Sequence, residues 1–218
     1  MSERGLFITV EGSEGAGKTT ALDFLETTLR DAKIDLVRTR EPGGTALGEE
    51  LRAVLLRERE EAVDPLAELL AVFAARAQHL REKILPAIEA GRWVLCDRFT
   101  DATYAYQGAG RGVGHEQIAS LEALVQGTFR PDLTLLLDVP IQVGLERARA
   151  RGDLDRFEQE EFAFFERVHA CYRKLARQSS GRIRMIDAQQ SLSDVESDLA
   201  QIVAELLRSS HLTSDRAS

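Results

Sequence analysis

Residues 10–20 read VEGSEGAGKTT, and the fold turns on how they are understood. Gly12, Gly17, Lys18 and Thr19 satisfy the spacing G-x-x-x-x-G-K-[ST] of a phosphate-binding loop (P-loop). Small residues there let successive backbone N–H groups converge on phosphate oxygens, which makes Gly12, Ser13, Gly15, Ala16, Gly17 and Thr20 candidates for the cradle. Lys18 can reach the β- and γ-phosphates, and the Thr19 hydroxyl can ligate Mg²⁺. The flanks suit this reading. LFITV before the loop has the composition of a buried strand, and TTALDFLETTLR after it that of a helix directing its N-terminal dipole at the anion. A nucleoside triphosphate such as ATP is the expected ligand. Glu14 is the discordant residue, a carboxylate among groups that attract anions.

Working outward, short apolar runs alternate with helical patterns. LFITV, DLVRT, WVLCD, LTLLLD and IRMID read as five strands. Helices are expected after the loop and over about 45–56, 66–89, 101–107, 115–126, 141–150, 158–178 and 192–208. Strands separated by helices predict a parallel sheet joined by right-handed crossovers, with helices on both faces: a three-layer α/β/α architecture. One domain over 1–208 and a polar tail over 209–218 are expected. Two strands end in aspartate, Asp97 and Asp138, at the carboxyl edge where such sheets bind ligands. Asp97 is the better candidate for supporting Mg²⁺ through water; Asp138 reads equally well as a strand-end turn residue.

Composition narrows the class. The chain has 218 residues, 44% hydrophobic and 29% charged, enough for one substantial core. A net charge of −8 argues against non-specific nucleic-acid binding, while leaving room for anionic nucleotides held by local arginines. Cys96 and Cys171 fit reduced thiols in a cytoplasm, with Cys96 as buried filler in an apolar run. The N-terminus enters strand material at once, with no room for a signal peptide, and no apolar run is long enough to span a membrane. There is no asparagine, which excludes a GTPase reading guanine through Asn-Lys-x-Asp, and no LSGGQ-like signature. Phosphotransferases remain as the leading class.

Such an enzyme needs a second anion site for its acceptor, and arginine supplies it best because its guanidinium pairs bidentately with phosphate. Arg40, Arg52, Arg76 and Arg98 are candidates. Arg76 sits in the otherwise apolar FAARAQ, and Arg98 follows the strand-end Asp97. TYAYQGAGRG offers rings and an amide for holding a base, or else core aromatics preceding a loop. RARARGDLDRFE, 147–158, carries four arginines within ten residues. It reads as a mobile basic lid over a transferring phosphoryl group, against the alternative of a solvated helix end complementing its dipole.

In combination, EGSEGAGKTT, TREPGGT, FAARAQ, CDRFTDATYAYQGAGRG, RPDLTLLLDV and RARARGDLDRFE resemble the thymidylate kinases, which transfer the γ-phosphate of ATP to dTMP. The resemblance implies a P-loop kinase fold, a homodimer and a set of roles. Arg98 would hold the dTMP phosphate, with Arg52 and Glu41 beside it. Arg76 would read the thymine edge with Thr103 and Gln107, and Tyr106 would sit under the 2′ carbon. Glu14 would accept a hydrogen bond from the 3′-hydroxyl, which resolves its place in the loop. Lys18, Arg98 and Asp97 would act at the phosphates. Arg151, with Arg147 and Arg156 nearby, would be the lid group at the phosphoryl bridge, and adenine would lie near the turn after IRMID. The family's thymine-stacking phenylalanine falls on Val72; Phe73, one residue and ~100° further round a helix, is the nearest aromatic candidate. Two other readings stay open: a nucleoside monophosphate kinase of different base preference, and a non-catalytic nucleotide-binding module. Intact Lys18, Thr19, Asp97 and Arg151 argue against the second.

Overall fold

The computed structural model describes residues 4–152, 156–158 and 160–214. Five parallel strands form one sheet in the order β2-β3-β1-β4-β5. They are β1 (Phe7–Glu11), β2 (Leu36–Arg40), β3 (Trp93–Asp97), β4 (Leu133–Asp138) and β5 (Ile183–Asp187). The helices are α1 (Lys18–Asp31), α2 (Ala46–Leu56), α3 (Pro65–His79), α4 (Leu85–Glu89), α5 (Thr100–Thr103), α6 (His115–Gln126), α7 (Ile141–Arg151), α8 (Phe162–Gln178) and α9 (Leu192–Ser214).

The period-two rule of a strand sorts the core into two layers. Ile8 and Val10 of β1, Trp93 and Leu95 of β3, and Leu133, Leu135 and Leu137 of β4 face one side. They pack there with Leu22, Leu25 and Leu29 of α1 and Leu199 and Val203 of α9. Phe7, Val94 and Cys96 face the other side, against Leu80, Ile84 and Ile88, while Leu136 meets Phe165 and Val168 of α8. With helices on both faces the strands are apolar on both, as a buried parallel sheet requires. Thr9 and Thr134, paired in register between β1 and β4, satisfy each other's buried hydroxyls at 2.7 Å. Cys96 is fully buried, and burial pushes its thiol well above 9, so it behaves as a small apolar side chain.

All five strands lie within a residue of their expected places; the helices differ more. The long helix expected over 66–89 is interrupted by a π-turn at Leu80–Ile84 between α3 and α4. Pro86 follows directly; it has no N–H to donate and its ring crowds the carbonyl four residues back, so the ladder must widen there. A second π-turn, Tyr104–Gly110, occupies most of the helix expected at 101–107. The helix expected from 158 begins at Phe162, and the last helix runs to Ser214, beyond the boundary at 208 where a polar tail was expected.

The loop after β1 lies against α7 at a glycine–glycine contact. A Cβ on Gly15 would stand 1.9 Å from the Gly144 carbonyl oxygen, and one on Gly144 only 2.5 Å from the Glu14 carbonyl oxygen. Gly144 is helical, so alanine there would ordinarily favour the helix. Here the opposite is expected: Gly144→Ala should lose about 1–3 kcal/mol in urea unfolding, the cost of overpacking a backbone contact. A neutral or stabilising result would show that loop and helix are free to separate.

Candidate active site

The carboxyl ends of β1 and β3 open on a cavity of about 760 Å³, within the range of small-ligand sites. One end is walled by Gly15, Ala16, Gly17, Lys18, Thr19 and Thr20; the other by Arg76, Thr103, Tyr106 and Gln107. Arg98 and Asp97 lie between them.

The loop is pre-shaped. The Lys18 ammonium donates to the carbonyls of Gly12 and Ser13, each at 3.1 Å, and so spans the loop from within. Burial, with the Arg98 charge second, pulls its pKa down from 10.5 to about 8. Thr19 and Thr20 stand exposed on the first turn of α1, where orphan N–H groups and the helix dipole favour anions.

Arg98 occupies the left-handed region, φ 67°, one residue past the end of β3. This turn is clamped on both sides. Arg98 N–H donates to Val10 O at 3.0 Å, and Phe99 N–H donates to the Glu11 carboxylate at 2.7 Å. Its guanidinium donates to Gly12 O (3.0 Å), Glu14 (3.1 Å) and the Tyr172 hydroxyl (3.2 Å), and lies 4.6 Å over the Tyr106 ring. Glu14, only 7% exposed, also accepts from the Tyr106 hydroxyl at 2.8 Å. The loop carboxylate therefore turns away from the N–H cradle toward Arg98 and Tyr106. Burial, opposed only in part by Arg98, pushes the Tyr106 phenol well above 10, so it remains a donor.

A second cluster forms the far wall. Arg76 of α3 is 1% exposed and is held 4.9 Å from the ring centres of both Phe73 and Phe99. Its Nε donates to Glu41 at 2.7 Å and one Nη to Thr103 at 2.9 Å. The other, Nη1, is buried with no hydrogen-bond partner among the described residues. Glu41 also meets His79 Nδ1 at 2.9 Å, and His79 Nε2 meets Thr39 at 2.7 Å.

Of the residues named from sequence, Glu14, Gly15, Ala16, Gly17, Lys18, Thr19, Thr20, Glu41, Arg52, Arg76, Asp97, Arg98, Thr103, Tyr106, Gln107 and Arg147 share the cavity wall. Gly12 and Ser13 act behind it through their carbonyls. Phe73 departs from expectation, and Glu41 and Arg156 have partners that the sequence did not show. Phe73 does not face the cavity; Val72 does, and Phe73 packs with Leu69 and Ile118 behind Arg76, one helical position being enough to turn it into the core. Glu41 shares the cavity wall with Arg98 and engages Arg76 and His79 with its two oxygens, so it also orients the far wall. Arg156, expected near the lid group Arg151, donates to Glu68 at 2.5 Å and to Leu55 O at 2.9 Å. Arg147 donates to Ala188 O at 3.0 Å, beside the turn after β5. Arg151 closes α7, and its side chain lies outside the described residues. Asp138, left open from sequence, pairs with His169 of α8 at 2.7 Å.

Four contributors escaped sequence reasoning: Glu11, Glu68, His79 and Tyr172. Glu68, Val72, Arg76 and His79 follow the 4-4-3 spacing of one helix face, a signal masked by the apolar residues around them. Glu11 was visible only as an acid at the end of an apolar strand. Tyr172, 74 residues from Arg98, carried no local signal at all.

The five-stranded parallel sheet with its flanking helices is the three-layer fold of the P-loop kinases. A family model described as thymidylate kinase matches residues 10–199. Among similar proteins, the thymidylate kinase of Teredinibacter turnerae is 59% identical over 93% of this chain and 99% of its own length. Those of Pseudomonas syringae pv. tomato and Hahella chejuensis are 57% and 56% identical over 93% and 94% of this chain and 97% and 99% of theirs. The chain belongs to the thymidylate kinase family.

Glu11 supplies a pH test of the site. Burial, then the Asp101 charge, pushes its carboxyl from 4.5 up to about 7, against the pull of Arg98 and of the Tyr172 and Phe99 hydrogen bonds. A carboxyl raised in the folded state contributes stability that is full below 4.5 and lost as pH rises through 7. Its share of that loss is about 3 kcal/mol. Unfolding free energies of the wild type should therefore decline from pH 5 to pH 8 relative to those of Glu11→Gln. Parallel pH profiles for the two proteins would contradict this.

Proposed function

We propose that the cavity binds ATP and dTMP end to end and that the protein phosphorylates dTMP to dTDP. The observation that carries this reading is the single cavity joining a phosphate loop to a buried base-sized wall, with Arg98 at the junction. The triphosphate lies along residues 12–20, with Lys18 on its terminal phosphates. A smaller recess of about 210 Å³ beside Thr20, Arg147, Ala188 and Gln190 suits the adenine. Arg98, with Arg52, grips the acceptor phosphate. Glu14 takes the 3′-hydroxyl, the Tyr106 ring occupies the space a 2′-hydroxyl would need, and the unpaired Nη1 of Arg76 donates to a base carbonyl.

The chain's catalytic work on this reading is positioning and charge. In phosphoryl transfer the developing charge spreads over phosphate oxygens, so fixed cations act most at the transition state. Lys18 and Arg98 are held before substrate arrives, and Arg151, on the lid segment 147–158, adds charge on closure. The residues fit Mg²⁺: the Asp97 Oδ1 atom is buried without a hydrogen-bond partner among the described residues, and the Thr19 hydroxyl lies on the same wall. Bound there with the nucleotide, Mg²⁺ would neutralise phosphate charge. Among the described residues no three His, Cys, Asp or Glu converge, which suits an ion arriving with phosphates. No described helix is long and apolar enough to cross a membrane, and cytoplasmic residence is part of this proposal. So is a homodimer, supported by the exposed Leu66 and Leu70 of α3 and Leu124 of α6.

Two kinetic outcomes follow. Arg98→Ala should lower kcat/KM for dTMP by about 100-fold, the scale of charge-assisted bonds lost from a buried site, whereas the exposed Arg208→Ala should leave it unchanged. Equal effects in a coupled ADP-release assay would refute the acceptor assignment. Lys18 must be protonated to attract phosphate, and its pKa is about 8. kcat/KM for ATP should therefore fall as pH rises through 8, while kcat, measured with ATP bound and its phosphates holding the proton, should fall only at higher pH. Coincident profiles would exclude Lys18 as the titrating group.

A further inference from the structure

Glu68 is an acid 1% exposed in the first turn of α3, outside the cavity wall, and none of the roles above uses it. One oxygen accepts from Gln107 Nε2 at 2.9 Å and from Arg111 Nε at 3.4 Å; the other accepts from Arg156 at 2.5 Å. Two guanidiniums compensate the buried charge, so the group is a carboxylate, and a carboxylate only accepts. A primary amide can otherwise be turned over at little cost, but beside this acceptor its NH₂ must face Glu68. The Gln107 carbonyl oxygen is then the end left for the cavity that Gln107 lines. Arg76 lines the same wall, and its Nη1, a donor only, has no hydrogen-bond partner among the described residues.

One donor beside one acceptor is the complement of an imide edge, a ring carbonyl next to a ring N–H, as in thymine and uracil. Cytosine presents the reverse, an amino donor next to a ring nitrogen that accepts. We propose that Glu68 is a specificity-determining residue acting through Gln107: by locking the amide it keeps an acceptor in front of the base and turns away cytosine. This rests on the reading above, in which the base lies between Arg76 and Gln107.

Glu68→Gln tests it, because the outcome of that substitution is dictated by Arg156. The 2.5 Å contact to Arg156 holds the one remaining oxygen against the longer 3.4 Å contact to Arg111, so the new amide places its NH₂ toward Gln107, whose own amide must then turn over and offer NH₂ to the cavity. The expected result is a fall of about tenfold or more in the ratio of kcat/KM for dTMP over dCMP, carried mainly by KM. The dTMP over dUMP ratio should stay within about twofold of the wild type, since both bases are imides. General loosening of the site would move both ratios, and that outcome overturns the proposal. So does a folded Glu68→Gln protein, by circular dichroism and thermal melting, that keeps the wild-type preference against dCMP. Gln107→Ala separates the two layers of the argument: if it leaves the dCMP preference intact, Gln107 does not touch the base, and the site reading fails along with the proposal. If Gln107→Ala erases the preference and Glu68→Gln does not, only the role of Glu68 fails. Should Glu68→Gln not fold, the double variant Glu68→Gln/Arg156→Gln removes the charges together and frees the amide. It should then narrow the dCMP preference several-fold, and an unchanged preference there overturns the proposal.

Discussion

A carboxyl group can be withdrawn from water only if protein groups replace its hydrogen bonds to water, and Glu11 is the place where this chain meets that requirement first. It ends the central strand, fully buried, and takes the Phe99 N–H and the Tyr172 hydroxyl as its donors. The Phe99 bond secures the residue after Arg98, which is how a non-glycine residue with positive φ is kept in place. Tyr172 in turn accepts from Arg98. The strand-end acid, the tyrosine of a distant helix and the arginine of the neighbouring strand thus form one unit. The directions of Arg98, Glu14 and Tyr106 depend on it.

The far wall repeats the same logic with different partners. Glu41 and Glu68 are buried, and each is compensated by donors that are themselves aimed: Arg76 and His79 for Glu41, Gln107, Arg111 and Arg156 for Glu68. Removing one member of such a group leaves another buried and unpaired, so the network is expensive to break and rigid while intact. Rigidity is what a site gains from it. Side chains that line the cavity are held in place by buried partners, so little ordering would be left to be done on binding.

What could be read from sequence divides along the range of the interactions. The phosphate loop, the strand-end Asp97 and the five apolar runs are local patterns, governed by residue size, period and charge within a dozen positions. They appear in the fold almost where they were expected. The π-turn at 104–110 was not legible, because the choice between α and π ladders is decided by packing rather than by composition. Phe73 shows the limit more sharply: a one-residue ambiguity on α3 separates the cavity from the core, and only the direction of the helix settles it. Arg156 is a third kind. Its charge was plain, but the partner that claims it, Glu68, lies 88 residues away.

The contact between Gly15 and Gly144 bears on how α7 can move. With backbone against backbone and no side chain to yield, the first turn of the helix is a fulcrum seated on the phosphate loop. A helix rises ~1.5 Å per residue, so Arg147 stands ~4.5 Å along the arm and Arg151 ~10.5 Å. A small tilt about that seat carries Arg151 more than twice as far as Arg147. One helix can therefore hold an arginine close to the turn after β5 while the end of the same helix travels more than twice as far.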